Sequence, residues 1–330
     1  MNERALASLQ RNPYSSRAML YTAFAQKGYG VEELRIGTEE YTRFKSPVGK
    51  IWFTDATYIT YPMLDASVVT LARQKDISSR LVESLGVSTP KTVYGLGPDA
   101  ESLLNSAQRV IMKPIDSSAA RGLTMDITTK SQFEAAAETV RSFSEKEVMV
   151  QQQVTGDEIR FVVMDYETKI ALFRQTPRVT GDGTRSVRQL IEAENKARAG
   201  LRLEHITYPQ LTDALIDSAY MTSTLVPKSG EIVELGRGSM VKTGASIYNI
   251  FSTVHASYLE IASRIAKALG ASFLVVDLIV KDYEKPAEPD NYWFLELNAA
   301  PALRLFYADR DGHHADIVPE LVSLIDRTIH

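Results

Sequence analysis

The sequence contains no cysteine among its 330 residues. This absence excludes disulfides, thiolate zinc sites, iron–sulfur clusters and a cysteine nucleophile. The chain also has no apolar run that approaches the ~20 residues needed to span a bilayer. Its first residues lead into polar sequence and not into the apolar segment of a signal peptide. We therefore expect a cytoplasmic protein that has no membrane partner.

Positive charge is not in excess either. Lys and Arg together number 37 and Asp and Glu 41, which gives a net charge of −4. A mildly acidic chain has no global electrostatic attraction to DNA or RNA, so we expect no nucleic-acid partner. The sequence also lacks a Gly-x-Ser-x-Gly elbow, a dinucleotide-binding Gly-x-Gly-x-x-Gly and the Walker A order. None of its five histidines shows zinc-ligand spacing.

Helical and strand-like segments alternate, but not as regular strand–helix–strand units. This order predicts an α+β protein and not one doubly wound sheet. At ~100–200 residues per domain, the length predicts two or three lobes. Apolar periodicity predicts helices over 76–85 and 258–269, and another that starts with capping-box spacing at Ser131. Strands are expected at 109–113, 147–152, 159–164, 170–174, 271–280 and 292–297.

Two acidic residues interrupt apolar strands late in the chain. Asp277 stands in Val-Val-Asp-Leu-Ile and Glu296 in Phe-Leu-Glu-Leu-Asn. A buried carboxylate without a partner is costly, so each of them needs one. If the loop at 281–291 joins an antiparallel pair, both carboxylates reach one spot, and Asn298 shares the face of Glu296. Such oxygen ligands suit Mg²⁺; salt bridges to Arg or Lys at a strand edge are the alternative.

Three further stretches combine small residues with charge. A strand ends at Lys113 and a loop of small residues follows it; taken alone this pattern favours a plain surface loop, with a phosphate site as the alternative. The stretch 148–160 runs through Thr155-Gly156 and is either an adenine-binding hinge or a β-hairpin. Two Gly- and Thr-rich stretches, 177–184 and 234–246, are either anion-binding loops or turns.

Taken together, these stretches resemble the ATP-grasp superfamily. The matching order is Lys75, Lys113-Pro114, 151–158, Asp277 and 296–298. Within the superfamily, the chain is most similar to the ATP-grasp module of cyanophycin synthetases and of bifunctional bacterial glutathione synthetases. The specific matches are 179–183 followed by 186–195, Thr243-Gly244 followed by Val254-His255, and 296–301.

The resemblance implies an α+β protein with the ATP-grasp fold. It divides the chain into a short N-terminal lobe (1–72), a central lobe (73–153) and a C-terminal lobe with the metal-binding strands (154–330). The last two lobes would grip ATP between them. The chain departs from its relatives at Ala245, Ala302 and Phe306, where glycine or histidine is common in the family.

The resemblance also implies an activity. The chain would be an ATP-dependent carboxylate–amine ligase that joins amino-acid or small-peptide substrates through an acyl phosphate and releases ADP and phosphate. Its cofactors would be ATP and Mg²⁺, with Mn²⁺ as the alternative ion. Its partners would be a small carboxylate and a small amine, and homo-oligomerisation is left open. A nucleotide-binding regulatory protein and a kinase are the alternative functions.

The family's functional residues map onto matching positions of this sequence. Those that would contact ATP are Lys75, Lys113, Ser117, Ser118, Gln151, Val154 and Glu158. The catalytic cations would be Arg160, Arg174 and, facing the substrate, Arg304. The metal ligands would be Asp277, Glu296 and Asn298. The loop Asp116–Gly122 would cover the phosphates as a lid.

Overall fold

The computed structural model describes residues 1–115, 122–143, 148–201, 203, 206–212, 216–313 and 315–330. Its N-terminal region combines helices with a three-stranded antiparallel sheet of order β1-β2-β3, which the sequence did not lead us to expect. Phe44 stacks on Trp52 with ring centroids 4.6 Å apart, and Phe24 packs on Phe44 at 4.8 Å. The elements of this region are α1 (Glu3–Arg11), α2 (Ser16–Gln26), β1 (Gly30–Ile36), β2 (Glu39–Lys45), β3 (Ile51–Asp55) and α3 (Ala66–Arg73).

The middle of the chain forms a four-stranded antiparallel sheet of order β4-β7-β5-β6. Two helices, α5 and α6, cover it through a small core that includes Val110, Met112 and Phe133. The elements are α4 (Lys75–Ser84), β4 (Thr92–Tyr94), α5 (Pro98–Ala107), β5 (Val110–Pro114), β6 (Thr124–Ile127), α6 (Lys130–Phe143) and β7 (Val148–Gln152).

The start of α6 differs from the sequence-based expectation. The reciprocal capping bonds join Thr129 and Gln132, since Gln132 N donates to Thr129 Oγ1 at 3.3 Å and Thr129 N donates to Gln132 Oε1 at 3.2 Å. The capping box predicted from Ser131 is therefore placed two residues too late. Both registers have the same residue spacing, and only the turn that precedes the helix distinguishes them.

The C-terminal half forms a five-stranded antiparallel sheet of order β12-β9-β8-β13-β14 and a separate β10–β11 pair. Together with the preceding sheets and helices, this confirms the α+β class. The elements are β8 (Asp157–Met164), β9 (Glu167–Gln175), β10 (Arg178–Thr180), α7 (Val187–Gly200), α8 (Ser218–Met221), β11 (Ile232–Glu234), the 3-10 helix η1 (Val241–Thr243), β12 (Ser246–Asn249), α9 (Ala256–Ala268), β13 (Phe273–Val280), β14 (Tyr292–Asn298), the 3-10 helix η2 (Leu303–Tyr307) and α10 (Val318–Ile329).

The connection between β7 and β8 joins two different sheets. The hairpin interpretation of 148–160 is therefore wrong, because β7 pairs with β4 and β5 whereas β8 pairs with β9 and β13. Gly156 lies in this connection with φ of 149°. A Cβ there would stand 2.7 Å from the carbonyl oxygen of Val280, so the close passage of the two backbones requires glycine.

One hydrophobic core joins the N-terminal region to the five-stranded sheet. Tyr61 meets Phe273 of β13 edge to face with ring centroids 4.8 Å apart, and α3 and α4 contact β14. The four-stranded sheet keeps a core of its own, and a third small core lies under α7. Within the described ranges, no helix has the length and apolar character that crossing a membrane requires.

Tyr61 provides a test of this shared core. Its hydroxyl is buried, and no described group lies within hydrogen-bond distance of it, whereas the buried Tyr21 hydroxyl is 2.7 Å from Thr42 Oγ1. An unsatisfied buried hydroxyl costs stability, so we expect Tyr61→Phe to raise the free energy of unfolding by about 1 kcal/mol. Tyr21→Phe should lower it by a similar amount. Urea unfolding measures both, and a clear loss of stability in Tyr61→Phe would show that its hydroxyl is satisfied.

Candidate active site

The antiparallel pairing of β13 and β14 brings the two late carboxylates together. Asp277 lies directly opposite Glu296, and the register shifts immediately after Asp277. The loop between these strands is the predicted charged segment at 281–291, so the expectation of an antiparallel pair with adjacent carboxylates is confirmed. Asn298 lies two residues further on and pairs with Val275.

Asp277 is held by an arginine of the neighbouring strand. Arg160 of β8 lies opposite Asp277 in the register, and its Nε and Nη2 donate to the two carboxylate oxygens at 2.8 and 2.6 Å. The exposed fractions of the two side chains are 7% and 0%. Burial opposes the charge of Arg160, but Asp277 outweighs it and raises the pKa of Arg160. The ion-pair interpretation of the sequence is therefore confirmed for Asp277.

The electrostatic environment of Glu296 opposes the charge of its carboxylate. Burial raises the pKa of its carboxyl, the adjacent Asp277 raises it further, and Lys75 acts in the opposite direction. Two carboxylates side by side are stabilised by a cation between or beside them. This pair is therefore suited to bind a positively charged group.

Glu158 lies one strand further into the sheet and is also paired. Arg174 of β9 is its partner across the strands and donates to its carboxylate through Nη1. Ser239, from the segment between β11 and β12, donates to the other oxygen of Glu158. Arg174 is itself buried. Ser239 is a site residue that the sequence analysis missed, since it lies inside a Gly-rich stretch where no spacing distinguishes it.

The second half of the site comes from the four-stranded sheet. Lys113 of β5 donates through Nζ to Gln151 Oε1 of β7 at 3.2 Å, and Gln151 Nε2 donates to Thr92 Oγ1 of β4 at 2.9 Å. This chain of hydrogen bonds fixes the lysine at the end of its strand. Thr92 is a second residue that sequence reasoning missed, because a lone threonine in a short strand carries no signal.

Lys113 belongs to the four-stranded sheet but interacts electrostatically with Glu296 of the five-stranded sheet. Burial lowers the pKa of Lys113 to about 8; the nearby charge of Lys75 lowers it as well, and Glu296 acts in the opposite direction. Lys75 is the first residue of α4. The structure therefore brings Lys75 of α4 and Lys113 of β5 close to the carboxylate of Glu296 on β14.

The sequence also predicted Val154, Arg304, Asn298, Ser117 and Ser118 as residues of the site. Val154 is half-buried in the connection between β7 and β8, and Arg304 is exposed on η2. Asn298 Oδ1 accepts a hydrogen bond from the backbone N–H of Ala300 at 3.0 Å. Ser117 and Ser118, with most of the predicted lid, lie outside the described residues. In the part of the chain that the structure describes, no three His, Asp or Glu side chains cluster as a metal site.

Comparisons with known proteins find relatives among two kinds of enzyme. A scan of family models finds no match. The chain is 27% identical over 337 residues to the glutathione biosynthesis bifunctional protein GshAB of Mannheimia succiniciproducens. This alignment covers 97% of the chain and 44% of that protein. It is also 25% identical over 270 residues to the cyanophycin synthetase of Trichormus variabilis. This second alignment covers 78% of the chain and 29% of that protein.

A solved structure has a similar fold. The bifunctional glutathione synthetase of Pasteurella multocida matches with a TM-score of 0.60 and 23% identity over 94% of this chain and 44% of that chain. The chain thus spans less than half the length of these relatives. The expected ATP-grasp fold is confirmed, and so is the similarity to cyanophycin and bifunctional glutathione synthetases.

The buried ion pair between Arg160 and Asp277 predicts that removing one partner destabilises the protein much more than replacing both partners. Asp277→Asn leaves Arg160 charged and buried without its partner, so we expect a loss of about 3 kcal/mol in the free energy of unfolding. Replacing both residues with apolar ones, Arg160→Met with Asp277→Leu, should cost much less. Glu192→Gln is the control, since it breaks an exposed ion pair with Arg188. Urea unfolding that finds Asp277→Asn as stable as Glu192→Gln would contradict the assignment.

Proposed function

We propose that this chain is an ATP-dependent carboxylate–amine ligase. It would form an amide bond between amino-acid or small-peptide substrates and release ADP and phosphate. The observation that carries the proposal is the proximity of Lys75 and Lys113 to the carboxylate of Glu296, which lies opposite Asp277 on the neighbouring strand. The named activities of the relatives, glutathione biosynthesis and cyanophycin synthesis, support the same chemistry.

The reaction needs charge neutralisation more than a protein nucleophile. An oxygen of the substrate carboxylate attacks the γ-phosphorus of ATP, and the bond to the bridging oxygen breaks to release ADP. The amine nitrogen then attacks the acyl carbon, the bond to the phosphate oxygen breaks, and the amine loses its proton. Negative charge concentrates around the transferred phosphoryl group, where positioned cations lower the barrier.

The described residues divide these tasks. We propose that Lys75 and Lys113 bind phosphate oxygens and that Gln151, Val154 and Glu158 bind the adenosine part. Arg160 and Arg174 would neutralise phosphoryl charge, and Arg304 would contact the substrate. Arg160 also holds Asp277, so this arginine positions the metal-binding strand while it contributes charge.

The donor set fits a hard divalent cation. We propose that Asp277, Glu296 and Asn298 hold Mg²⁺, with Mn²⁺ as the alternative, because carboxylate and amide oxygens suit both ions. The ion would offset the charge of the nucleotide phosphates. Each carboxylate oxygen can accept more than one contact, so Asp277 can keep Arg160 and still reach the ion. Burial and then the adjacent Asp277 raise the pKa of Glu296, and a cation beside the pair would oppose both effects.

The metal assignment predicts the effect of a conservative change. Glu296→Gln keeps the size of the side chain but removes the charge, so we expect turnover to fall by about 100-fold or more. The assay is ADP release in a screen of amino-acid pairs, with mass spectrometry of the products. Glu284→Gln, in the exposed loop between the same two strands, is the control and should be fully active.

Each outcome of that screen has a meaning. An amide product whose formation requires both a carboxylate and an amine supports the ligase. A phosphorylated product without an amide would identify a kinase, and nucleotide binding without any turnover would identify a regulatory protein. Activity of Glu296→Gln equal to that of the wild type would exclude Glu296 as a metal ligand.

The lowered pKa of Lys113 predicts a pH dependence of nucleotide binding. Lys113 is a cation below its pKa of about 8 and neutral above it, so affinity for a non-hydrolysable ATP analogue should fall as the pH rises through 8. Lys113→Met should bind more weakly at pH 7 and lose this decline, whereas Lys113→Arg should stay charged throughout. Titration calorimetry between pH 7 and 9.5 tests this, with Lys267→Met on the exposed side of α9 as the control. An unchanged decline in Lys113→Met would exclude Lys113 as its source.

A further inference from the structure

A cavity of about 590 Å³ lies away from the candidate active site. It is open to solvent on one side and is lined by the end of β9, the β10–β11 pair, α7, β12 and the loop that carries Arg310. Its volume lies in the range of pockets that hold small organic ligands. None of the residues that line it was placed in the candidate active site, and three of them, Arg178, Val179 and Thr180, belong to the stretch 177–184 that the sequence left open as an anion-binding loop or turns.

The cavity is on the opposite face of the five-stranded sheet from the candidate active site. Consecutive residues of a strand point to opposite faces. Arg174 faces Glu158 in the site, whereas the next residue, Gln175, lines the cavity. Tyr248, opposite Phe173 on β12, lines it from the same side. A ligand here therefore lies across the sheet from the nucleotide site proposed above.

The lining carries an excess of positive charge. Three arginines line the cavity, Arg178, Arg185 and Arg310, against one acid, Glu194. Arg310 Nη2 donates to Glu194 at 2.8 Å, and Arg198 Nε donates to the same carboxylate at 2.8 Å, so the acid is already neutralised. Burial raises the pKa of Glu194, but the two arginines outweigh it and lower the pKa overall.

Two of the arginines keep donors for a ligand. Arg178 donates through Nη2 and Nε to the side-chain oxygen of Gln175 at 3.0 and 3.2 Å when that amide is oriented to accept them. Its Nη1 lies 3.6 Å from Glu234, beyond hydrogen-bond distance, and keeps donors for another partner. Arg185 contacts Asp182 through Nε at 2.6 Å, which leaves its two terminal amino groups for other partners. An arginine fork matches carboxylate and phosphate oxygens in pairs.

The apolar residues that line the cavity indicate the chemical character of the part of a ligand that would connect its anionic groups. Val179, Leu190, Ala193 and Ile232 add some apolar surface to a lining that is otherwise largely polar. A lone phosphate would leave most of the volume to water and would not use this apolar surface. A short carbon chain with a carboxylate at each end uses both, since its methylene groups contact the apolar side chains while its ends reach separate arginines.

We propose that this cavity is a second binding site, for a small organic dianion of the dicarboxylate class. The site lies apart from the candidate active site, and the proposal holds whether or not the chain is a ligase. Glutarate is a suitable probe because it has two carboxylates, three methylene groups and no amine that could act as a ligase substrate.

The experiment is titration calorimetry of glutarate with the full chain at low salt, in the presence of Mg²⁺ and a saturating non-hydrolysable ATP analogue. The wild type should bind glutarate saturably. Arg185→Gln should weaken binding about tenfold, because a charge-assisted contact is lost. Ala193→Phe should abolish binding by filling the cavity without a change of charge. Arg188→Gln, on the exposed face of the same helix, should bind like the wild type.

Several results would overturn the proposal. One is the absence of saturable binding to the wild type, and another is equal weakening by Arg188→Gln and Arg185→Gln. Inorganic phosphate or neutral glutaramide binding as tightly as glutarate would exclude a dicarboxylate site. Glutarate binding that is seen only when the ATP analogue is left out would place the ligand in the nucleotide site instead. If Ala193→Phe fails to fold, Arg185→Gln and Arg188→Gln still decide the question.

Discussion

A carboxylate in the middle of an apolar sheet needs a partner, and Arg160 gives Asp277 two hydrogen bonds from the neighbouring strand. Glu296, Glu158 and Arg174 lie on the same sheet, in register with this pair. The ion pair thus fixes the strand that positions Glu296, and it keeps an arginine charged at the place where phosphoryl charge would develop. Removing either partner leaves a buried charge, so the electrostatics of the site and the stability of the sheet depend on the same contact.

The sequence predicted the parts of this arrangement that have a local signature. Acids inside apolar strands pointed to Asp277 and Glu296, and the charged loop between them predicted their antiparallel pairing. Ser239 and Thr92 could not be predicted, because their roles come from contacts between segments far apart in the chain. The N-terminal sheet was missed for a similar reason. Its aromatic packing and its core shared with β13 are tertiary, and the sequence alone shows only short polar and apolar runs there.

Two of the departures from the family pattern have a structural reason. Phe306 and Ala245 are both fully buried, so each serves the packing of the C-terminal half. The segment around Ala245 is also held by Arg198, which donates to the carbonyl oxygen of Gly244 at 2.7 Å. Arg198 and Arg310 share Glu194 beside the cavity of the proposed dicarboxylate site. The segment that provides Ser239 to Glu158 thus leads directly into the packing around that cavity, which lies across the sheet.

The central claim is that a carboxylate is activated by transfer of the γ-phosphoryl group. It is tested most directly by supplying amino acids labelled with ¹⁸O in the carboxylate and following the label by ³¹P NMR and mass spectrometry. Attack on the γ-phosphorus followed by amide formation leaves one labelled oxygen in inorganic phosphate, with unlabelled ADP. Attack on the α-phosphorus would instead place the label in AMP and release pyrophosphate. Label in phosphate is the predicted result, and label in AMP would contradict it.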